Sequence, residues 1–136
     1  MPAEIHILGG GLAGSEAALQ LAREGRRVTL FEMRPGRGTP AHRTSRLGEL
    51  VCSNSLKTEQ PNAAPWLLKE ELRRLGSFLL RAAQKARVPG GHALTVDREV
   101  FAEEVTRMVA EQPLIEVRRE EACRIDEQAI TIVATG

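Results

Sequence analysis

The sequence has no excess of either charge: 19 Lys and Arg stand against 18 Asp and Glu, a net charge of +1 over 136 residues. That balance excludes a strongly basic protein that coats nucleic acid, and 42% hydrophobic residues exclude a disordered tail. No apolar run approaches the roughly 18 residues of a membrane span. The start of the chain also lacks a charged segment followed by a long apolar core, so no membrane association is expected. Cysteine is scarce. Cys52 and Cys123 make no disulfide framework, which predicts a reducing, cytoplasmic setting. Three scattered His and two distant Cys give no metal-ligand spacing, so no metal is expected. Internal repeats and low-complexity segments are absent. What remains is the composition of a globular protein, and its length fits one domain burying roughly two-thirds of its unfolded surface.

The near-neutral total hides a polarity. Between Arg23 and Arg46 there are seven Arg and two Glu, plus His42; between Asp97 and Glu127, ten acids and five Arg. The acidic half reads as solvated faces. The basic stretch contains Pro35, Gly36, Gly38 and Pro40, which no helix face tolerates, so it is a loop presenting guanidinium groups.

Residues 4–8 are a β-branched, apolar run ending at three glycines, which predicts a buried strand. An Ala- and Leu-rich helix over 12–24, closed by Gly25, and a strand over 27–32 follow. Strand, helix and strand in this spacing make a βαβ crossover and hence a parallel sheet. Residues 33–62 read as one long functional loop, and 63–111 as a mainly helical insertion. Within the insertion, helices are predicted over 65–75, from a Ser77 cap to Arg87, and from an Asp97 cap through 98–111. Strands are expected over 114–118, 122–125 and 130–134.

Gly9, Gly11 and Gly14 satisfy G-x-G-x-x-G after a strand and at the opening of a helix, the context that gives the pattern meaning. The glycines serve the tight turn, the approach of backbone to a pyrophosphate, and helix–strand packing; the helix N-terminus faces the phosphates. Gly9, Gly10, Gly11, Leu12, Ala13 and Gly14 are therefore the candidate phosphate loop. Glu32 ends the second strand, where a carboxylate accepts hydrogen bonds from ribose hydroxyls and repels a 2′-phosphate. Met33 and Arg34 follow it, Arg34 placed for adenine or phosphate contact. Ala134-Thr135-Gly136, closing the last strand, resembles the second nucleotide-contact strand of glutathione-reductase-type flavoproteins. That shifts the expected cofactor from a free nicotinamide nucleotide to FAD, on an α/β Rossmann-like FAD-binding fold.

The pieces Phe31-Glu-Met-Arg-Pro35, Thr39-Pro-Ala-His42 and Glu49-Leu-Val-Cys-Ser-Asn-Ser-Leu56, with Gly9–Ala18, resemble the folate- and FAD-dependent tRNA (uracil-5-)-methyltransferase family, TrmFO. Leu68-Lys-Glu-Glu, Val88-Pro-Gly-Gly and Val96-Asp-Arg98 are similar too, so the likeness runs from Ile5 to Gly136. His92 and Thr95 depart from it. The resemblance implies that a one-carbon unit moves from methylenetetrahydrofolate to C5 of a T-loop uridine in tRNA, with FAD reduced by NAD(P)H. It also implies that Cys52 is the flavin-proximal catalytic thiol. A thiol attacks only as thiolate, which nearby cations favour, and Arg43 and Arg46 are close in sequence. Cys123 matches no motif and reads as inert.

Family chains are several times longer, so the sequence reads as the N-terminal part of a truncated FAD-binding domain. The second cysteine of the family is then expected beyond Gly136. Two other readings stay open: an FAD-dependent tRNA-modifying flavoprotein of the MnmG type, and a dinucleotide-binding fragment without catalysis of its own.

Overall fold

Burial alternates along the first strand. Ile5 and Ile7 of β1 (Ile5–Leu8) are buried, whereas His6 and Leu8 are half-buried, because successive side chains point to opposite faces. The computed structural model describes residues 3–136. In it β1 is an inner strand of a four-stranded sheet with β2 (Val28–Phe31), β6 (Ile115–Arg118) and β7 (Ile130–Val133). The order is β6-β2-β1-β7 and every neighbouring pair is parallel. Ile5 lies opposite Val28 and Ile130, and Val28 opposite Ile115, so one face collects the aliphatic residues of all four strands.

That face is covered by helices. α1 (Leu12–Arg23) joins β1 to β2 and buries Ala18, Leu19 and Ala22; Gly25 turns the chain out at φ +76. α3 (Phe78–Lys85) and α4 (Arg98–Ala110) pack against α1, with Leu79, Leu80, Phe101, Val105 and Val109 in a common core with Ile7 and Leu30. α2 (Ala64–Arg74) carries Pro65 in its first turn, where proline lacks no hydrogen bond. Asp97 caps α4 by accepting from the N–H groups of Glu99 and Val100, and the Ser77 hydroxyl caps α3 through Leu80 N–H.

Glu16, on α1, also serves α3. Its carboxylate accepts from the N–H groups of Phe78 (2.9 Å) and Leu79 (3.0 Å) and from the Ser77 hydroxyl (2.7 Å). The helix that opens at the glycine loop is thereby tied to the next layer.

The structure corrects several boundaries. Residues 55–58, read as loop, form β3 (Ser55–Thr58), which joins β5 (Ala93–Val96) and β4 (Arg87–Val88) in an antiparallel sheet of order β3-β5-β4. Its register shifts between Ser55 and Thr58, with Lys57 at φ +68, so no regular alternation announces it. α3 ends at Lys85, because Arg87 already pairs with Val96. Residues 122–125 are not a strand. They lie over the sheet face opposite the helices, near His6, Phe31 and Thr131, with no strand beside them to pair with.

Candidate functional site

The glycine loop passes between the ends of β2 and β7. Gly9 donates its N–H to the Phe31 carbonyl (2.8 Å), and Ala134 N–H donates to the Leu8 carbonyl (2.8 Å). Gly9 sits at φ +105, and a Cβ there would lie 2.4 Å from the Ala134 carbonyl oxygen. At Gly14 a Cβ would lie 1.8 Å from the Gly9 carbonyl oxygen. Both are glycine because protein backbone fills the space. Gly11 differs. It is the N-cap of α1 at φ −76, no side chain caps the helix, and a Cβ would meet nothing within 4 Å. The first-turn N–H groups behind it lack intrahelical partners, as at any helix start.

In front of this loop lies a cleft of about 650 Å³. Gly9, Gly10, Gly11, Leu12, Ala13, Glu32, Met33, Arg34, Ala134, Thr135 and Gly136 all line it. Two expected site residues stand apart. Gly14 is buried behind the wall, consistent with its packing role, and Cys52 is exposed beside it: Val51, not Cys52, is in the lining.

Glu32 and Arg34 form a buried pair. Arg34 Nε and Nη2 donate to the two Glu32 oxygens at 3.0 and 3.1 Å, and the N–H groups of Arg34 (3.0 Å) and Gly10 (3.1 Å) complete the set. Burial alone would raise the Glu32 carboxyl, but the Arg34 side chain and these N–H groups outweigh it and hold it below the usual carboxylate range. The guanidinium turns its remaining donors to the Thr44 carbonyl (2.9 Å), the Arg46 carbonyl (3.2 Å) and Glu49 (2.7 Å). This corrects the expected role of Arg34. All five of its N–H donors are engaged inside the protein, so the side chain organises the site and has no free donor for adenine or phosphate.

The same bonds explain why residues 33–50 are ordered without regular structure. Glu49 also accepts from the N–H groups of Arg43 (2.9 Å) and Thr44 (3.3 Å). Leu47 is buried, its N–H on the Thr106 hydroxyl (2.9 Å), and Gly48 N–H donates to the Gly10 carbonyl (2.9 Å). The long loop is thus fastened to the underside of the glycine loop. Arg119 donates to the carbonyls of Arg34 (3.1 Å) and Ser45 (2.6 Å), and Arg37 pairs with Glu121 (2.8 Å). Arg46, close to Cys52 in sequence, pairs with Glu103 at 2.8 Å.

Sequence reasoning missed Val51 and Glu120–Ala122 as lining residues. Their local sequence has no signal, since the fold alone brings the 119–129 connection across the cleft mouth. Thr39 and His42 line the cleft with Thr39 Oγ1 and His42 Nδ1 2.5 Å apart. Among the described residues no three His, Cys, Asp or Glu side chains are grouped to hold a metal, and no helix is long and apolar enough to cross a membrane.

A parallel sheet whose first strand runs through a glycine loop into an uncapped helix, with a buried acid at the end of the second strand, defines a Rossmann-like dinucleotide-binding domain. The chain belongs to the glucose inhibited division protein A (GIDA) family, which it matches over residues 4–136. It is 65% identical over 136 residues to a protein of Solibacter usitatus named methylenetetrahydrofolate–tRNA-(uracil-5-)-methyltransferase TrmFO. It is 60% identical over 137 residues to the protein of that name from Koribacter versatilis. In both cases all of this chain but 31% of the relative is covered, so it spans about a third of their length. Among solved structures it is similar to CtdE in complex with FAD and substrate 4, at 16% identity and a TM-score of 0.48, covering 85% of this chain and 30% of that one.

Proposed function

We propose that this chain is the FAD-binding segment of a cytoplasmic flavoenzyme that uses methylenetetrahydrofolate and NAD(P)H to methylate C5 of the T-loop uridine in tRNA. The observation that carries the reading is the convergence of the glycine loop, Glu32 and Ala134–Gly136 on one cleft at an uncapped helix N-terminus. The residues fit FAD by a concrete criterion: Gly11, alone among the three motif glycines, faces open space. The first-turn N–H groups of α1 would hold the pyrophosphate, and Ala134–Gly136 would flank the cofactor. Each Glu32 oxygen already accepts two N–H donors, so the ribose hydroxyls would have to share or replace one of them, the Gly10 N–H being the donor at the cleft wall, while Arg34 keeps the carboxylate charged. When bound, FAD supplies the two-electron redox chemistry that converts a transferred methylene into a methyl group.

Cys52 is the proposed catalytic thiol. It is exposed and follows directly on Val51 of the cleft wall, so a substrate at the cleft mouth can reach it. The substrate class rests on the relatives at 65% and 60% identity, whose names carry this activity. The MnmG-type alternative has no comparable support. The segment by itself is expected to bind cofactor without turnover, since it spans 31% of those relatives.

The test is methyl transfer by the intact protein, given FAD, NADH, methylenetetrahydrofolate and a T-arm RNA, read by mass spectrometry of the uridine. Wild type is expected to methylate C5 and Cys52→Ala to leave the uridine unmodified. Full transfer by Cys52→Ala would remove the thiol's role; no transfer by wild type would remove the reading.

A further inference from the structure

Val51 separates two cavities. Behind it, between residues 40–51 and the first turn of α4, lies a second space of about 370 Å³ lined by Arg43 and Arg46 from the loop and Arg98 from the helix. Arg46 is paired with Glu103. Arg43 and Arg98 are exposed, and neither forms an ion pair among the described residues. Two acids also line the space. Glu49 is neutralised from inside: Arg34 and the N–H groups of Arg43 and Thr44 occupy its oxygens, and these interactions hold its carboxyl low against the opposing effect of burial. Glu99 lies in the first turn of α4, where it answers the positive end of the helix. Arg43 and Arg98, from separate elements, are left without an ion pair in one cavity, and with Glu99 counted the space keeps an excess of positive charge.

The walls are fixed before any ligand arrives. Glu49 holds the backbone at Arg43 and Thr44, Thr106 holds Leu47, and the Gly10 carbonyl holds Gly48. Binding then orders the two exposed guanidinium side chains but not the backbone that carries them. Guanidinium groups suit phosphate oxygens through paired, charge-assisted hydrogen bonds. A space of 370 Å³ is several times larger than a single inorganic anion requires, and it has room for a nucleotide unit.

We propose that Arg43 and Arg98 form a phosphodiester-binding site for RNA, holding the backbone next to the nucleotide presented at Cys52. The inference rests on the RNA-methyltransferase reading and deepens it by assigning substrate-positioning residues. A backbone contact of this kind sets register and carries no base information.

The experiment is a fluorescence-anisotropy titration of this chain with a labelled T-arm RNA hairpin at several salt concentrations. Three proteins are compared: wild type, Arg43→Ala/Arg98→Ala, and Arg26→Ala/Arg27→Ala. The last removes two exposed charges at the α1–β2 turn, away from the cavity. Two lost phosphate contacts should lower the salt slope by about 1.4 and affinity about 25-fold at 0.1 M salt. The control pair should shift affinity less than about 3-fold. The proposal is overturned by wild-type affinity in the Arg43/Arg98 variant, by equal losses in both variants, or by a wild type that binds no RNA. Displacement of the RNA by inorganic phosphate at constant ionic strength would equally overturn it, by showing a small-anion site. An FAD titration of the same samples keeps the readings apart: wild type that binds FAD but fails any RNA arm sinks this inference alone.

Discussion

A methyl group added at Gly11, just before α1, and one added at Gly14, the third residue of that helix, meet different surroundings. At Gly14 the new carbon would lie 1.8 Å from the Gly9 carbonyl oxygen and 3.3 Å from the Ile7 side chain. Both belong to backbone or core that has nowhere to go, so Gly14→Ala should destabilise the fold by about 3 kcal/mol or more, in the range of severe core overpacking. At Gly11 the methyl would meet no protein atom within 4 Å, and φ −76 suits any L residue. The cost to the fold is then only the poorer capping of alanine, about 1 kcal/mol or less. The same methyl would stand between the α1 N–H groups and a pyrophosphate. Loss of one charge-assisted hydrogen bond is worth about 1.5–3 kcal/mol, or roughly 10- to 150-fold in affinity. Denaturant unfolding measures the first quantity and flavin-fluorescence titration the second. Gly11→Ala that binds FAD like wild type would refute the placement of the phosphates, whatever its stability.

Two further substitutions probe the layers beneath the cleft. Arg34→Met leaves the buried Glu32 and the half-buried Glu49 without their shared partner, and should cost about 3–5 kcal/mol in denaturant unfolding; a loss below about 1 kcal/mol would show that the loop holds itself. Glu16→Gln weakens the cap on α3 and should cost about 1–2 kcal/mol at neutral pH. Burial raises the Glu16 carboxyl, but bonds from Gln20, Leu79, Ser77 and Phe78 prevail and lower it. A lowered folded value means stability present above the ordinary carboxylate range and lost as pH falls through the lowered value. The difference between wild type and Glu16→Gln should therefore shrink on acidification through that window. A difference that stays constant down to strongly acid pH would contradict the assignment.

What the sequence disclosed was local. Strand β1, the glycines, α1 and Glu32 lie within one βαβ unit, and their spacing alone places a helix N-terminus above a strand end. The caps at Ser77 and Asp97 were equally readable, because a cap and the N–H groups it binds are neighbours in sequence. The task of Arg34 was hidden, since it depends on Thr44, Arg46 and Glu49 folding back over Glu32. So was the order within residues 33–50, which comes from Thr106 on α4 and from the Gly10 carbonyl. The small sheet escaped for another reason. β3 is short, polar and bulged, and it exists because β5 offers it a partner. Glu16 looked like an ordinary helix residue; only the packing of α3 on α1 turns it into a cap.

The central claim is that the cleft at the glycine loop is an FAD site that grips the ADP half of the cofactor. Its most direct test is a fluorescence titration of the purified chain with FAD and with FMN, which lacks the adenylate, followed by displacement with ADP. The account predicts saturable FAD binding, displacement by ADP, and no comparable binding of FMN. FMN binding as tight as FAD, or FAD binding that ADP leaves untouched, would contradict it.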